Sequence, residues 1–120
     1  MKDIIVAGNC NADGPRIKRI LEENFEIRVD LIKKFDDIKA SSQKKDYKLI
    51  LLNRIGAWDK KKGIDYVKIF VEETAIPVML ITNYKDVMQE AVDLGALPGF
   101  GKSDLNNIDL LKERLASIID

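Results

Sequence analysis

Residues 4 to 20 read IIVAGNCNADGPRIKRI and hold two incompatible chemistries. Counted from the only cysteine, Cys10 stands six positions before Arg16. That C-x5-R spacing suits a loop of backbone N–H groups closed around an oxyanion, with a thiolate to attack it and a guanidinium to hold it. Counted instead from the end of the opening apolar run, Gly8 and Asn9 stand where a strand hands over to a helix. In a parallel sheet such handovers gather along one edge and build a crevice. The other handovers carry Asn53, Thr82 with Asn83, and Lys102. The first grouping makes a nucleophile, whereas the second makes a pocket of amides, a hydroxyl and an ammonium.

The elements that must position these residues are legible as an alternation of short β-rich runs with longer segments whose apolar residues recur every three or four positions. Strands are expected over 4–8, 26–32, 48–53, 77–82 and about 97–101. The first, third and fourth are apolar on successive residues, as expected of central strands covered on both faces. A first helix begins near Pro15, turns Ile17, Ile20 and Leu21 inward and stops at Asn24. A second is expected over 36–45. Gly63 precedes a third carrying Ile64, Val67, Ile69, Phe70 and Val71, which ends before Pro77. The fourth runs 84–94 and stops at Gly95. The fifth is capped by Asn106 or Asn107 and buries Ile108, Leu111, Leu115 and Ile118. Five βα units with right-handed crossovers give an α/β fold, a doubly wound five-stranded parallel sheet of flavodoxin-like order 2-1-3-4-5 in three α/β/α layers. Helices one and five are expected on one face, and two, three and four on the other.

The 120 residues suit one domain spanning 1–120. Twenty basic and twenty acidic side chains cancel, which removes the bulk electrostatic case for nucleic acid or an anionic membrane. The clusters Lys33-Lys34, Lys44-Lys45 and Lys60-Lys61-Lys62 lack the interleaved aromatics of a base-stacking surface and are read as solvated ends. The apolar runs at 49–52 and 78–81 are strand-sized rather than membrane-spanning. With no histidine and one cysteine, zinc, haem and imidazole catalysis lack ligands and bases, so no metal or cofactor is expected. The chain reads as cytoplasmic.

In register, the chain resembles the response-regulator receiver family over nearly its whole length. YKLILLN is similar to the receiver strand that ends in the phosphoacceptor aspartate, and IPVMLIT to the strand that ends in a Thr or Ser. EAVDLGALPGFGK, with Gly95-Ala96 and Lys102, is similar to the end of receiver helix four, strand five and its lysine. The loop after strand three is about two residues longer. The resemblance places the family's acidic pair on Gly8 and Asn9, its phosphoacceptor on Asn53, its hydroxyl residue on Thr82 and its lysine on Lys102. Gly99 stands where receivers often carry a switch aromatic, and Ser103 where a proline usually follows the lysine.

Three carboxylates are therefore missing. A neutral amide at Asn53 cannot form an acyl phosphate, and Gly8, Asn9 and Asn53 give magnesium only neutral oxygens. Asp13 is read as assisting the start of helix one, with rescue of the site by Asp13 or Asp59 as the alternative. Lys102 is expected to face only uncharged groups, to draw the amide oxygens toward itself and to take an anion from solution.

The C-x5-R segment resembles the low-molecular-weight tyrosine phosphatases in spacing alone. Pro15 removes a cradle N–H, Asp13 sets a carboxylate against the anion, position 17 is Ile, and no Asp-Pro follows downstream. Cys10 is read as a small loop residue and Arg16 and Arg19 as solvent-facing. Trp58 is read as lying over helix three, with partner contact as its alternative. The sequence thus reads as a non-enzymatic, phosphorylation-independent receiver-like signalling module. It would act on a protein partner or as a homodimer through the helix 4/strand 5/helix 5 face, where analogy puts Tyr84, Met88, Asn106 and Lys112. The alternatives are a small-ligand or anion-binding flavodoxin-like domain and a Cys10-dependent phosphatase.

Overall fold

Successive apolar residues in the central strands supply two cores at once. A computed structural model describes residues 1–119. In β1 (Lys2–Ala7), Ile4 and Val6 point to one face and Ile5 and Ala7 to the other. The same division recurs in β3 (Tyr47–Asn53) and β4 (Val78–Ile81). With β2 (Ile27–Ile32) and β5 (Leu97–Phe100) they form a five-stranded parallel sheet in the order β2-β1-β3-β4-β5. Each inward side chain removes apolar surface from water, worth about 25 cal/mol per Å².

One face is covered by α1 (Asp13–Asn24) and α5 (Ile108–Ile119), through Ile17, Leu21, Leu111, Leu115 and Ile118. The other is covered by α2 (Ile38–Ser42), α3 (Gly63–Glu73) and α4 (Lys85–Asp93), through Ile38, Val67, Phe70 and Ala91. The expected layers and helix sides are those observed. Gly95 takes φ +109° just beyond α4, the left-handed stop expected there. At α5 the cap is Asn107, whose Oδ1 accepts the Leu110 N–H at 3.1 Å.

The second helix departs from expectation. In place of a helix over 36–45 there is a 3-10 turn at Phe35–Asp37 followed by the five residues of α2. Only Phe35 and Ile38 are buried in this segment, and the one apolar residue beyond Ile38, Ala40, is exposed and holds no further turn. The Ser42 hydroxyl also donates to the Lys39 carbonyl at 2.7 Å, a local bond that competes with helix propagation. At the β2 edge, Lys18 donates to the Val29 carbonyl at 2.7 Å and Glu22 accepts its N–H at 2.8 Å. Two side chains of α1 thereby satisfy edge-strand groups that a second chain could otherwise pair with. Among the described residues no helix is long and apolar enough to cross a membrane.

Candidate functional site

The strand ends converge, but on two spaces rather than one. Asn53 ends β3, Thr82 follows β4, and Lys102 lies beyond β5 at the start of a 3-10 turn, Lys102–Asp104. These three, with Arg54, Asn83 and Tyr84, line an open cavity of about 320 Å³. Asn9 instead lines a cavity of about 110 Å³ with Cys10, Leu31 and Lys33. Gly8 reaches Asn53 through its backbone, its carbonyl accepting from Asn53 Nδ2 at 3.1 Å.

Phe35 closes the Gly8 side. Gly8 has φ +83°, and a Cβ placed there would lie 2.5 Å from Phe35 Cε1. The left-handed backbone and the buried ring together leave no room for a carboxylate-bearing side chain. Trp58 helps to close the Asn9 side: its Nε1 donates to the Asn9 carbonyl at 3.0 Å, and Lys33 Nζ sits 4.6 Å from the centre of its ring. Trp58 therefore lies over the β1–α1 loop, a correction to the expectation that it covers α3. The cause is the longer β3–α3 loop, which folds back so that Ala57 N–H donates to Gly8 O at 2.9 Å. Asp59 belongs to the same closure, accepting from the backbone N–H groups of Phe35 and Lys61 at 3.2 and 3.1 Å.

Lys102 does not face uncharged groups alone. Its Nζ lies 2.8 Å from Asp13 Oδ2, which corrects the expectation of a missing counter-ion. Asp13 sits in the first turn of α1, where a carboxylate also meets the positive end of the helix dipole. The hydrogen bond from Lys102 is the largest influence holding the Asp13 carboxyl below its ordinary value, against the opposing effect of burial. Asn53 donates both hydrogens of its amide inward, to Gly8 O at 3.1 Å and Ile55 O at 2.8 Å. Its Oδ1 is then the atom left for the crevice. Thr82 Oγ1 accepts the Tyr84 N–H at 3.1 Å, keeping its own proton available.

A magnesium ion, which the resemblance would call for, is poorly matched by these groups. Gly8 has no side chain, Asn9 and Asn53 are neutral, and the Asp13 carboxylate is already bonded to Lys102. Asn9 Oδ1 is a buried acceptor with no hydrogen-bond partner among the described residues, yet one neutral oxygen is far from the carboxylate-rich octahedron that magnesium prefers.

The C-x5-R segment forms no phosphate cradle. The helix α1 already starts at Asp13, so the residues between Cys10 and Arg16 are largely helical. Cys10 Sγ accepts the Asp13 N–H at 3.4 Å and Cys10 O accepts the Gly14 N–H at 2.9 Å. Those N–H groups are thus unavailable to an anion.

No protein-family model and no curated protein matches the sequence. Solved structures do match in shape. The receiver domain of the TMAO respiratory system response regulator TorR superposes with a TM-score of 0.78 at 16% identity, over 100% of both chains. The chain has the receiver fold. A beryllofluoride-activated NtrC4 receiver domain dimer gives 0.77 at 19% identity, covering 98% of this chain and 99% of that one. A two-component response regulator from Clostridium difficile gives 0.77 at 20% identity, with 98% and 95% covered.

Sequence reasoning missed Arg54 and Phe35. Arg54 directly follows Asn53, and its guanidinium stacks 4.8 Å from the Tyr84 ring centre at the cavity mouth. Adjacency to a strand end was the available signal. Phe35 gave none, because only the turn before α2 brings its ring over Gly8.

Proposed function

We propose that the chain is a receiver-like signalling module that works without aspartyl phosphate, through contact with another protein. The observation that carries this reading is Asn53. It stands at the end of β3, in the position the receiver resemblance gives to the phosphoacceptor, and both its amide hydrogens are committed to backbone carbonyls. Such a group is neither charged nor free to attack phosphorus. The Phe35 ring packed against Gly8 supports the same reading, since it occupies space that a working acidic pair would need.

The proposed contact surface is the face of α4, β5 and α5. Exposed Tyr84 and half-buried Met88 line it, and the receiver analogy adds exposed Asn106 and Lys112. A groove of about 420 Å³ runs between these elements, lined by Met88, Gly99, Phe100, Leu110 and Arg114. Gly99 is fixed as glycine by packing, because a Cβ there would lie 2.3 Å from Leu80 O.

The test is retention of a defined partner on the immobilised chain, with and without acetyl phosphate and magnesium. The reading expects equal retention in both conditions, and loss in the Tyr84→Ala/Lys112→Glu double variant. A partner held only after phosphodonor treatment, or held equally by the double variant, contradicts it.

A further inference from the structure

We infer that the surface where the β2–α2 and β3–α3 loops meet docks an acidic segment of another protein that also carries apolar side chains. This surface is separate from the face of α4, β5 and α5, and the inference does not rest on that reading.

Two lysine clusters that lie apart in the sequence share this surface. The fold-back of residues 54–62 sets Asp59 to accept the Phe35 N–H at 3.2 Å, pairs Lys61 with Asp36, and brings Trp58 against Lys33, whose Nζ lies 4.6 Å from the ring centre. Lys33, Lys34, Lys60, Lys61 and Lys62 are thereby gathered around one tryptophan, and all five are exposed. Among the described residues Lys33, Lys34, Lys60 and Lys62 have no ion-pair partner. The carboxylates of the same loops are largely engaged: Asp36 holds Lys61 and the Tyr66 hydroxyl, and Asp59 accepts two backbone N–H groups. Asp37 is left against four free ammoniums, so the local field is positive although the chain as a whole is neutral.

The patch is not only charged. Trp58 is 39% exposed and Leu31 41%, and Leu31 lines the same small cavity as Lys33. An acidic segment with apolar side chains matches both features, whereas a bare polyanion leaves the ring and the leucine in water. A nucleic-acid strand needs open aromatic faces for its bases, and Trp58 is the only tryptophan and already has Lys33 over its ring. Lys60 adds an independent observation. It is the one non-glycine residue with positive φ among the described residues, at +61°. Glycine would adopt that backbone with less strain, and strain of this kind gathers where a surface has a function. The loop is also held in shape, with Gly56 N–H donating to Lys61 O at 2.8 Å and Lys60 N–H to Gly56 O at 3.0 Å. Little ordering is then needed on contact.

The experiment is titration of the full chain, followed by Trp58 fluorescence, with a soluble peptide of repeated Glu-Glu-Leu, its Gln-Gln-Leu counterpart and oligothymidylate of the same length. Saturable binding of the Glu-Glu-Leu peptide is expected, at least about tenfold tighter than that of the Gln-Gln-Leu peptide, a difference of about 1.4 kcal/mol. It should be lost in about 1 M salt, where the screening length is about 3 Å. Lys34→Glu and Lys60→Gly are each expected to weaken it several-fold. Lys60→Gly should do so without lowering the urea midpoint, because glycine suits φ +61°, so the lost binding is not lost folding. Lys2→Glu makes the same charge change as Lys34→Glu at the start of β1, the opposite end of the sheet, and should leave binding unchanged. No saturable response, equal binding of the Glu and Gln peptides, equal loss in Lys2→Glu and Lys34→Glu, or oligothymidylate bound as tightly as Glu-Glu-Leu overturns the inference. So does a Trp58 shift on concentrating the chain alone, which would assign the surface to a second copy. None of these results touches the α4, β5 and α5 face, which the Tyr84→Ala/Lys112→Glu variant tests separately.

Discussion

Asp13 and Lys102, from opposite ends of the chain, meet side chain to side chain with Nζ 2.8 Å from Oδ2. Their side chains are 35% and 31% exposed, so the pair is screened and worth at most about 1 kcal/mol. Asp13→Asn is therefore expected to lower stability by less than about 1 kcal/mol in urea unfolding. A loss above about 2 kcal/mol would show that the pair is far less screened than its exposure implies.

Gly8 is expected to tolerate no side chain. Gly8→Ala forces a Cβ onto a backbone at φ +83° and into the Phe35 ring, at a combined cost of about 2–4 kcal/mol. Equilibrium urea unfolding measures it, and a loss below about 1 kcal/mol would show that the ring moves aside freely.

Trp58 is the only tryptophan in the chain, so its fluorescence reports on the loop that covers Asn9. Trp58→Phe removes the indole donor to the Asn9 carbonyl and is expected to destabilise by about 1 kcal/mol. In the unmodified chain, urea should shift Trp58 emission to the red in step with the loss of helical ellipticity. A fluorescence change at lower urea than the ellipticity change would mean that the loop opens independently.

Acid should unfold the protein in one sense only. Asp13, Glu22 and Asp30 are held below their ordinary values of 3.8, 4.5 and 3.8. The leading causes are the Lys102 hydrogen bond for Asp13, the Val29 N–H for Glu22 and the Tyr47 hydroxyl for Asp30. A depressed folded pKa adds stability that is complete above the unfolded value and is lost as pH falls through the folded one. Urea midpoints should therefore stay level from about pH 7 to 5.5 and fall steadily below about pH 4.5. With no histidine in the sequence, a step between pH 5.5 and 7 would contradict this assignment.

Much of the fold was legible because the signals were local. Successive apolar residues marked the buried central strands, Gly95 and the Asn106-Asn107 pair marked helix ends, and the strand-end register brought Asn53, Thr82 and Lys102 to one cavity while Asn9 went to another. What escaped was set by loops. The fold-back of residues 54–62 carries Trp58 onto Asn9 instead of α3, and no periodicity encodes a loop's direction. The contact of Asp13 with Lys102 joins residues 89 positions apart, which side-chain chemistry permits but does not dictate. Residues 36–45 have helix-compatible composition, yet only tertiary packing decides how far a helix with one buried apolar residue extends.

Intact-protein mass measurement under denaturing conditions, after incubation with acetyl phosphate and magnesium, reads whether the crevice takes a covalent phosphoryl group. Denaturation strips any anion held without a covalent bond, so the measurement reads covalent chemistry alone. With Asn53 at the end of β3, the expected mass is unchanged. A mass increase of one phosphoryl group that is lost on hydroxylamine treatment and absent from an Asp13→Asn or Asp59→Asn variant would contradict this, showing that Asp13 or Asp59 accepts the phosphoryl group.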